Sequence, residues 1–357
     1  MLTSEQRRQF ETDGYILVPE VLTASQIRWL RDFFRPKFDL PPGQRFAGDA
    51  YGNDKYKNNR LYDIYNRYPE ARWLLFHKPV LDILRSLLGD DCVEIPECSV
   101  ALNSFGVNQW GGWHKDTTTQ EIAGYDLHYW DDFLMVGLAY YLQDNTEEYG
   151  GGLDVQPGSH RQRRDPYRAT LQPLPFSWRL WRKARRMMGL RVDVAWLAGE
   201  PRPSVRVASR AGDLLIFHSR LNHRATMPRR QPVPRGHEKI AVFDTFSRNR
   251  PYVGTYLDFL HSPAGWEYIL HLSLRDDFVK DAKGAGVRLA MEGYQGADRA
   301  AVRSSAVGHR AQVIPLGTIA YRRRDRRSAM LRRGPAVSVA RTQISQRRYG
   351  RTIFAIW

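Results

Sequence analysis

The hydrophobic pattern of the first ninety residues is that of short amphipathic helices around one strand. Thr3 or Ser4 can cap a first helix, which Asp13 and Gly14 end. A short strand is predicted next, over Tyr15–Pro19. The segment then continues with a helix capped by Thr23 or Ser25 and running through Ile27, Leu30 and Phe34, a polar, aromatic-rich loop over Phe46–Arg67, and a helix around Pro79–Leu88.

From about Val93 the pattern changes to short extended runs separated by glycine and proline turns. Several short strands of this kind favour a sandwich or a barrel. After about Gly284 no convincing periodicity remains. The predicted strands lie in Ser99–Leu102, Phe133–Leu142, Gly152–Val155, Ser204–Ala208, Asp213–Phe217 and Lys239–Phe246.

The net charge of +16 is unevenly distributed over the 357 residues. Arg161–Arg186 contains nine basic residues and one acidic residue, and Arg322–Arg351 contains eleven and one. These two segments carry more positive charge than the whole chain, so the remainder is close to neutral. The basic character therefore belongs to an insertion and to a tail. The arginine clusters of the tail predict that it is poorly ordered.

The insertion contains a predicted helix that begins near Ser177. Its two faces differ, with Leu180, Trp181, Ala184, Met187 and Met188 on one and Arg179, Arg182, Lys183, Arg185 and Arg186 on the other. One interpretation is an interfacial helix that contacts anionic lipid. The other is a lid whose apolar face packs on the barrel with solvated arginines outside. No specific nucleic-acid recognition motif accompanies the charge.

Cysteine usage and hydropathy predict a cytoplasmic protein. Cys92 and Cys98 are too few for a disulfide framework and lack a partner pair for a zinc site. The polar first residues lack the apolar core of a signal peptide, and no later run is apolar enough to span a bilayer. Peripheral contact with the inner face of the membrane is the alternative left open by the basic segments.

The candidate chemistry begins with His114 and Asp116, which stand two residues apart. On an extended segment such a pair points the same way, because side chains repeat with period two along a strand. If a later strand brings His223 beside them, the three form the two-histidine, one-carboxylate triad that holds Fe(II) with open positions. A lone pair of this kind is otherwise a surface pair or a satisfied core histidine.

Other residues near these motifs have less specific interpretations. His128, His160 and His218 are predicted to be structural. The remaining candidates can line a pocket or equally contribute to packing, namely Asn103, Gln109, Trp113, Lys115 and Tyr140.

The motifs occur together in the order seen in phytanoyl-CoA dioxygenase-like enzymes, which the chain resembles over roughly residues 5 to 250. They are the opening helix with Asp13–Pro19, the His-x-Asp pair, Gly151–His160 and Gly212–His223. The resemblance implies a double-stranded β-helix and an oxygenase that uses Fe(II) and 2-oxoglutarate. It also implies iron ligands at His114, Asp116 and His223.

The resemblance further implies the reaction. Three protein ligands leave room for a bidentate 2-oxo acid and for O2, with succinate and CO2 as products. Halogenating relatives replace the carboxylate with a small residue, so the presence of Asp116 favours hydroxylation, or a related desaturation or ring closure.

The distal carboxylate of 2-oxoglutarate needs a cation, usually a bidentate arginine. When Ala241 and Phe246 are aligned with the strand of the family that follows the distal histidine, Lys239 takes the arginine position. Lys239 is therefore the predicted cosubstrate residue, and Arg235 on a nearby turn is the second candidate. The polar residue common in the family two places after the distal histidine is replaced by Ala225.

Together these features predict a mainly β protein with flanking helices (α+β) and a jelly-roll, cupin-like core. An oxygenase domain is expected over residues 1–284, with a helical flank at about 1–92, the core at about 93–250 and the insertion at about 160–204. A basic tail follows at 285–357.

The predicted function is Fe(II)- and 2-oxoglutarate-dependent hydroxylation of an aliphatic C–H bond in a small or lipid-linked metabolite. The alternative is a catalytically inactive relative that binds lipid or anions. Intact His114, Asp116 and His223 favour the enzyme, whereas Lys239 and Ala225 leave the alternative open.

Overall fold

Helices flank two β-sheets in the part of the chain that the structure describes. The structure is a computed structural model, and it describes residues 2–39, 60–103, 113–162, 203–262 and 265–294, except residues 126, 128, 129, 231, 266–268, 270 and 271. The helices are α1 (Ser4–Asp13), α2 (Ala24–Phe34), α3 (Ile64–Arg67), α4 (Arg72–Leu75), α5 (Lys78–Leu88), α6 (Thr118–Ile122), α7 (Pro251–Leu260) and α8 (Asp276–Gly284).

The larger sheet has the strand order β1-β7-β4-β9-β3-β10, with β2 also pairing with β3, and the smaller has the order β6-β5-β8. The pairs are antiparallel, apart from the parallel pair of β10 with β3. The strands are β1 (Tyr15–Val18), β2 (Arg60–Tyr62), β3 (Val93–Leu102), β4 (Met135–Tyr141), β5 (Leu153–Val155), β6 (Val205–Arg206), β7 (Leu214–His218), β8 (His223–Ala225), β9 (Ile240–Ser247) and β10 (Arg288–Leu289).

A single antiparallel bridge between His114 and His223 extends the smaller sheet beyond β8. This arrangement confirms the expected fold class, a mainly β fold with flanking helices around a double-stranded β-helix. Within the described residues the strands form two separate sheets and do not close into one barrel.

The central strands β4 and β7 of the larger sheet are buried on both faces. Along β7, Leu214 and Ile216 pack into the outer core against the helices, while Leu215 and Phe217 pack into the inner core between the sheets. A strand covered on both faces is apolar at successive positions rather than at alternate ones. Accordingly β4 and β7 show no regular alternation of apolar and polar residues.

The predicted helix starts are confirmed, and the structure decides which residue caps each. Thr3 and Thr23 each form a capping box, in which the threonine hydroxyl accepts from the backbone N–H of the glutamine three residues on. Gly14 ends α1 with a φ of 83°. A side chain there would also collide with the imidazole of His160, because a Cβ atom would lie 2.4 Å from its Nδ1.

The loop predicted over Phe46–Arg67 is wrong in its described part, which contains β2 and α3. A three-residue strand has no periodicity of its own, and β2 forms because it pairs with β3 about forty residues later. The weak run at Ser99–Leu102 is the end of a ten-residue strand, β3, whose pairing with β9 shifts register between Ile95 and Ser99. That irregularity interrupts the alternation of side chains between the two faces of the sheet, from which a strand is predicted.

Two predicted features fall largely outside the described residues. They are the basic helix of the insertion, between Ser177 and Met188, and the tail beyond residue 294. The structure does describe β10, which adds residues 288 and 289 to the larger sheet. No helix among the described residues is both long and apolar enough to cross a membrane.

Candidate metal centre

The segment after Trp113 runs antiparallel to the start of β8 and places His114 beside His223. The N–H of His114 donates to the carbonyl of His223 at 3.0 Å, and the N–H of His223 donates to the carbonyl of His114 at 2.9 Å. Residues paired in this way carry their side chains on the same face. The two imidazole centroids are accordingly 4.4 Å apart.

Asp116 completes the group from the turn that follows. Its backbone N–H donates to the carbonyl of Ser219 at 3.0 Å. Its Oδ1 then lies 3.7 Å from Nε2 of His114 and 3.5 Å from Nε2 of His223. One donor atom from each of the three residues lies within 4.8 Å of the other two. The structure thus brings together all three residues that the sequence singled out.

His223 is held in the tautomer that a metal ligand needs. Its Nδ1 is 2.9 Å from the carbonyl of Leu221, so Nδ1 carries the proton and Nε2 presents its lone pair toward Asp116. Burial lowers the pKa of His223 to about 4, although the nearby Asp116 carboxylate acts in the opposite direction. The imidazole is therefore neutral near pH 7.

The two other side chains face open space. The side chain of His114 is 46% exposed and that of Asp116 is 37% exposed, whereas that of His223 is 6% exposed. A first-row metal ion takes nitrogen and oxygen ligands at about 2.0–2.2 Å, which places adjacent donors about 3 Å apart. The donor types match this requirement and the donor distances are close to it, so the three residues fit an ion such as Fe(II) with one side left open.

The motif Gln156–Ser159 forms hydrogen bonds to Asn222, the residue that precedes His223 at the start of β8. The hydroxyl of Ser159 accepts from the backbone N–H of Asn222 at 2.8 Å. The backbone N–H of Gln156 donates to the carbonyl of Asn222 at 2.9 Å, and its side-chain oxygen accepts from the Asn222 amide at 3.3 Å. Three buried polar groups of this motif thus fix Asn222, the residue that precedes His223.

Lys115 is a structural residue and does not line the pocket. Its buried ammonium group donates to the carbonyls of Ser159 at 3.3 Å and Gln162 at 2.5 Å. Sequence reasoning missed a second support, Gln120. With its amide oriented to satisfy its neighbours, Gln120 donates to the carbonyl of Asp116 at 2.8 Å and accepts from the Tyr256 hydroxyl at 3.0 Å.

The inner face of the larger sheet lies beside His114, Asp116 and His223. The Phe217 ring lies 4.8 Å from the His223 ring and covers Gly137 on the neighbouring strand. A Cβ atom at position 137 would lie 2.5 Å from the Phe217 ring, so the position of that ring requires glycine at 137. Phe243 and Thr245 on β9 are only half-buried, which leaves this part of the inner face accessible.

Lys239 lies two residues before Ala241, whose side chain packs in the inner core. Lys239 is buried, and its backbone N–H donates to Oδ1 of Asn103 at 2.9 Å. Burial lowers the pKa of Lys239 to about 7, the neighbouring Arg60 lowers it further, and Asp154 opposes both. The charge of Lys239 also contributes, as the smallest of the causes, to the lowered pKa of His223.

The other residues considered for the cosubstrate lie elsewhere. Arg235 is on an exposed turn, and its guanidinium is 3.8 Å from the carboxylate of Asp39 at the protein surface. Ala225 pairs with Leu153 on the smaller sheet and supplies no polar group.

Arg60 is a residue of the inner face that the sequence did not reveal. Its guanidinium carbon lies 5.4 Å from the centroid of the Phe243 ring and 5.8 Å from that of Tyr62. It was hidden in a segment interpreted as a loop, and its position depends on the pairing of β2 with β3. No local signal in the sequence could have found it.

The remaining candidates contribute to packing. His218 is buried and stacks on Phe10 of α1 at 6.4 Å between ring centroids, and the ring of His160 lies 5.3 Å from it. Burial lowers the pKa of His218 well below its usual value, so this imidazole is neutral. Tyr140 belongs to the outer core and Trp113 stacks against Arg224. Gln109 and His128 lie outside the described residues.

Comparison with known proteins gives one family match. The model of the phytanoyl-CoA dioxygenase family matches residues 10–229. A search of curated protein sequences gives no significant match.

Three solved structures illustrate the structural matches. EctD from S. alaskensis, solved with 2-oxoglutarate and 5-hydroxyectoine, is 18% identical, with 69% of this chain and 76% of that chain covered and a TM-score of 0.47. The 2-oxoglutarate-dependent carbocyclase SnoK from nogalamycin biosynthesis is 18% identical, with coverages of 69% and 83% and a TM-score of 0.45. EvdO2 from Micromonospora carbonacea var. aurantiaca is 17% identical, with coverages of 74% and 97% and a TM-score of 0.45.

Proposed function

The chain belongs to the phytanoyl-CoA dioxygenase family of Fe(II)- and 2-oxoglutarate-dependent oxygenases, and on that premise we propose that it hydroxylates an aliphatic C–H bond of a small or lipid-linked metabolite. Succinate and CO2 are the other products. The observation that carries the proposal is the convergence of His114, Asp116 and His223 on one open point beside the inner face of the larger sheet.

His114 and His223 hold the iron through Nε2, and Asp116 holds it through a carboxylate oxygen. When bound, the iron supplies the oxidising chemistry together with 2-oxoglutarate and O2. The protein fixes the ligands before the metal arrives, since the Leu221 carbonyl sets the tautomer of His223. Asp116 would supply the carboxylate ligand that halogenating relatives replace with a small residue, which favours hydroxylation over halogenation.

Lys239 holds the distal carboxylate of 2-oxoglutarate. It is a buried cation on the inner face, and its charge acts on His223. Arg235 is a poor candidate because its exposed side chain lies beside Asp39. A lysine binds as a point charge rather than as a bidentate fork, so the orientation of the carboxylate must also depend on its other neighbours.

Anaerobic titration with Fe(II) and then with 2-oxoglutarate tests this assignment directly. Asp116→Ala should abolish metal binding and turnover while the far-ultraviolet circular dichroism stays unchanged. Lys239→Ala should raise the Kd of 2-oxoglutarate by about tenfold or more, because a charge-assisted contact is lost, and leave Fe(II) binding intact. Arg235→Ala is the matched control and should change neither the binding of Fe(II) nor the binding of 2-oxoglutarate.

The same titration decides between the enzyme and an inactive relative. Wild-type protein that binds neither Fe(II) nor 2-oxoglutarate would contradict the oxygenase proposal and favour a lipid- or anion-binding module. If both bind, untargeted metabolite comparison between a deletion strain and its parent identifies the substrate. Loss of 2-oxoglutarate binding in Arg235→Ala instead of Lys239→Ala would show that the alignment of β9 is wrong.

We further propose a cytoplasmic protein whose basic segments make peripheral contact with anionic membranes; the alternative for the insertion is a lid helix that packs on the barrel. Arg161–Arg186 and Arg322–Arg351 carry the excess positive charge, and both fall largely or wholly outside the described residues. Such binding should weaken with added salt, because screening acts over roughly 10 Å at 0.1 M. Vesicle sedimentation of variants with each segment charge-reversed to glutamate separates the two contributions.

A further inference from the structure

We infer that Arg60 binds an acidic group of the substrate, a carboxylate or a phosphate, and that the enzyme therefore acts on anionic molecules. The inference rests on the proposed function, since it concerns the substrate of the same site. It starts from the position of a cation that the cosubstrate does not require.

Strand register places Arg60 on the accessible inner face. Arg60 pairs with Ala101 across β2 and β3, and Ala101 pairs with Ala241 across β3 and β9. Directly paired residues share a face, and Ala241 packs into the inner core. The guanidinium of Arg60 accordingly lies over Phe243, which is half-buried on that same face.

The guanidinium of Arg60 has aromatic neighbours but no anionic partner among the described residues. Its Nε atom is buried without a hydrogen bond, and no described carboxylate lies within ion-pair distance of the side chain. Its guanidinium carbon lies over the rings of Tyr62 and Phe243. A desolvated cation is costly unless a partner neutralises it and accepts its hydrogen bonds.

Three other arginines with little exposure have carboxylate partners. Arg35 donates to Glu238 at 2.7 Å, Arg224 donates to Asp154 at 2.9 Å, and Arg72 donates to Asp281 at 2.7 Å. These pairs hold elements of the fold together, which accounts for their burial. Arg60 makes no such pair with a described carboxylate, so an ion pair within the described fold does not account for its position on the inner face.

Charge balance indicates that the missing anion belongs to the substrate. A divalent metal and Lys239 bring three positive charges to the site. Asp116 and doubly ionised 2-oxoglutarate bring three negative charges, so this set is neutral without Arg60. A bound acidic substrate supplies the remaining negative charge, and the planar guanidinium fork matches a carboxylate or phosphate in shape.

The positions of the two cations separate their roles. Lys239 is buried immediately before β9. Arg60 is half-buried on β2, a short strand that pairs with β3 at the side of the sheet. The cosubstrate must contact the metal, which favours Lys239 for its distal carboxylate and leaves Arg60 for a separate ligand.

Calorimetric binding of matched acidic and neutral probes tests the inference. Octanoate and octyl phosphate are compared with methyl octanoate and octan-1-ol, on metal-free protein and on protein loaded anaerobically with Fe(II) and 2-oxoglutarate. The acids should bind wild-type protein more tightly than the neutral probes. Arg60→Gln should weaken the acids by about tenfold or more without weakening the neutral probes, and Arg60→Lys should restore part of the difference because it keeps the charge.

Arg67→Gln is the matched control, because this arginine also stacks on an aromatic ring, Tyr68, but belongs to helix α3. It should keep the preference for acids. The inference is overturned if no acid preference depends on Arg60, or if Arg60→Gln raises the Kd of 2-oxoglutarate as much as Lys239→Ala does. Failure of the proposed function would look different, since wild-type protein would then not bind Fe(II) and 2-oxoglutarate.

Discussion

Replacing Asp244 by asparagine should remove a large pH dependence from the stability of the fold. Asp244 is buried on the outer side of β9, where one carboxylate oxygen accepts from the Tyr65 hydroxyl at 2.9 Å and the other has no partner among the described residues. Burial raises its pKa from 3.8 to about 7, against the effect of the Tyr65 hydrogen bond. Glu94, Asp63, Tyr140 and Cys98 belong to the same buried acidic cluster.

The sign of the effect follows from the raised pKa. Below pH 3.8 Asp244 is protonated in the folded and in the unfolded chain, and it then adds no pH dependence. As the pH rises toward about 7, the unfolded chain releases the proton while the folded protein retains it, so stability falls. At about 1.4 kcal/mol per tenfold difference in proton affinity, the ionised group disfavours folding by up to about 4 kcal/mol above that pH.

Urea unfolding followed by circular dichroism between about pH 4 and pH 8 measures this effect. The free energy of unfolding of Asp244→Asn, relative to wild type, should increase by up to about 4 kcal/mol across that range. Asp90→Asn, at an exposed turn position, is the control for loss of a carboxylate and should run parallel to wild type. Fe(II) binding should be unchanged, because Asp244 lies on the outer side of the sheet. Parallel pH profiles for Asp244→Asn and wild type would refute the reasoning.

Two further substitutions test the supports of the metal centre. Gly137→Ala should destabilise the fold by about 1–3 kcal/mol and weaken Fe(II) binding, because a Cβ atom would push the Phe217 ring toward His223; unchanged urea unfolding and metal titration would contradict this. Ser159→Ala should cost about 1–3 kcal/mol in the free energy of unfolding, because the buried N–H of Asn222 loses its acceptor. Hydrogen exchange should show that amide losing protection, and Ser159→Thr, which keeps the hydroxyl, should lose less stability than Ser159→Ala.

Much of the candidate site could be predicted from local sequence. His114 and Asp116 are separated by one residue, and that spacing alone aligns their side chains if the segment is extended. His223 lies at the end of a recognisable strand and turn, and the motif around Ser159 occurs between the two in the expected order. Each of these features involves only a few neighbouring residues, so each can be recognised in the sequence without knowledge of the fold.

The supporting residues could not be predicted, because their roles depend on contacts between distant segments. Gln120 supports Asp116 only because α7 brings the hydroxyl of Tyr256 to it. The sequence left Lys115 open between lining a pocket and packing, and its ammonium group binds carbonyls more than forty residues away. The sequence around a polar side chain does not indicate which distant residue will accept its hydrogen bonds.

The sequence by itself determined where the first helices begin, the apolar strands of the larger sheet and the choice of His114, Asp116 and His223 as candidate ligands. Capping, turn chemistry and burial on both faces act through neighbours in sequence, which makes them readable there. The tertiary structure alone decided the existence of β2, the burial of Lys239 and the exposure of Arg235, and the position of Arg60 over Phe243. Each of these depends on strand register across the sheet, and register is set by packing between residues far apart in the chain.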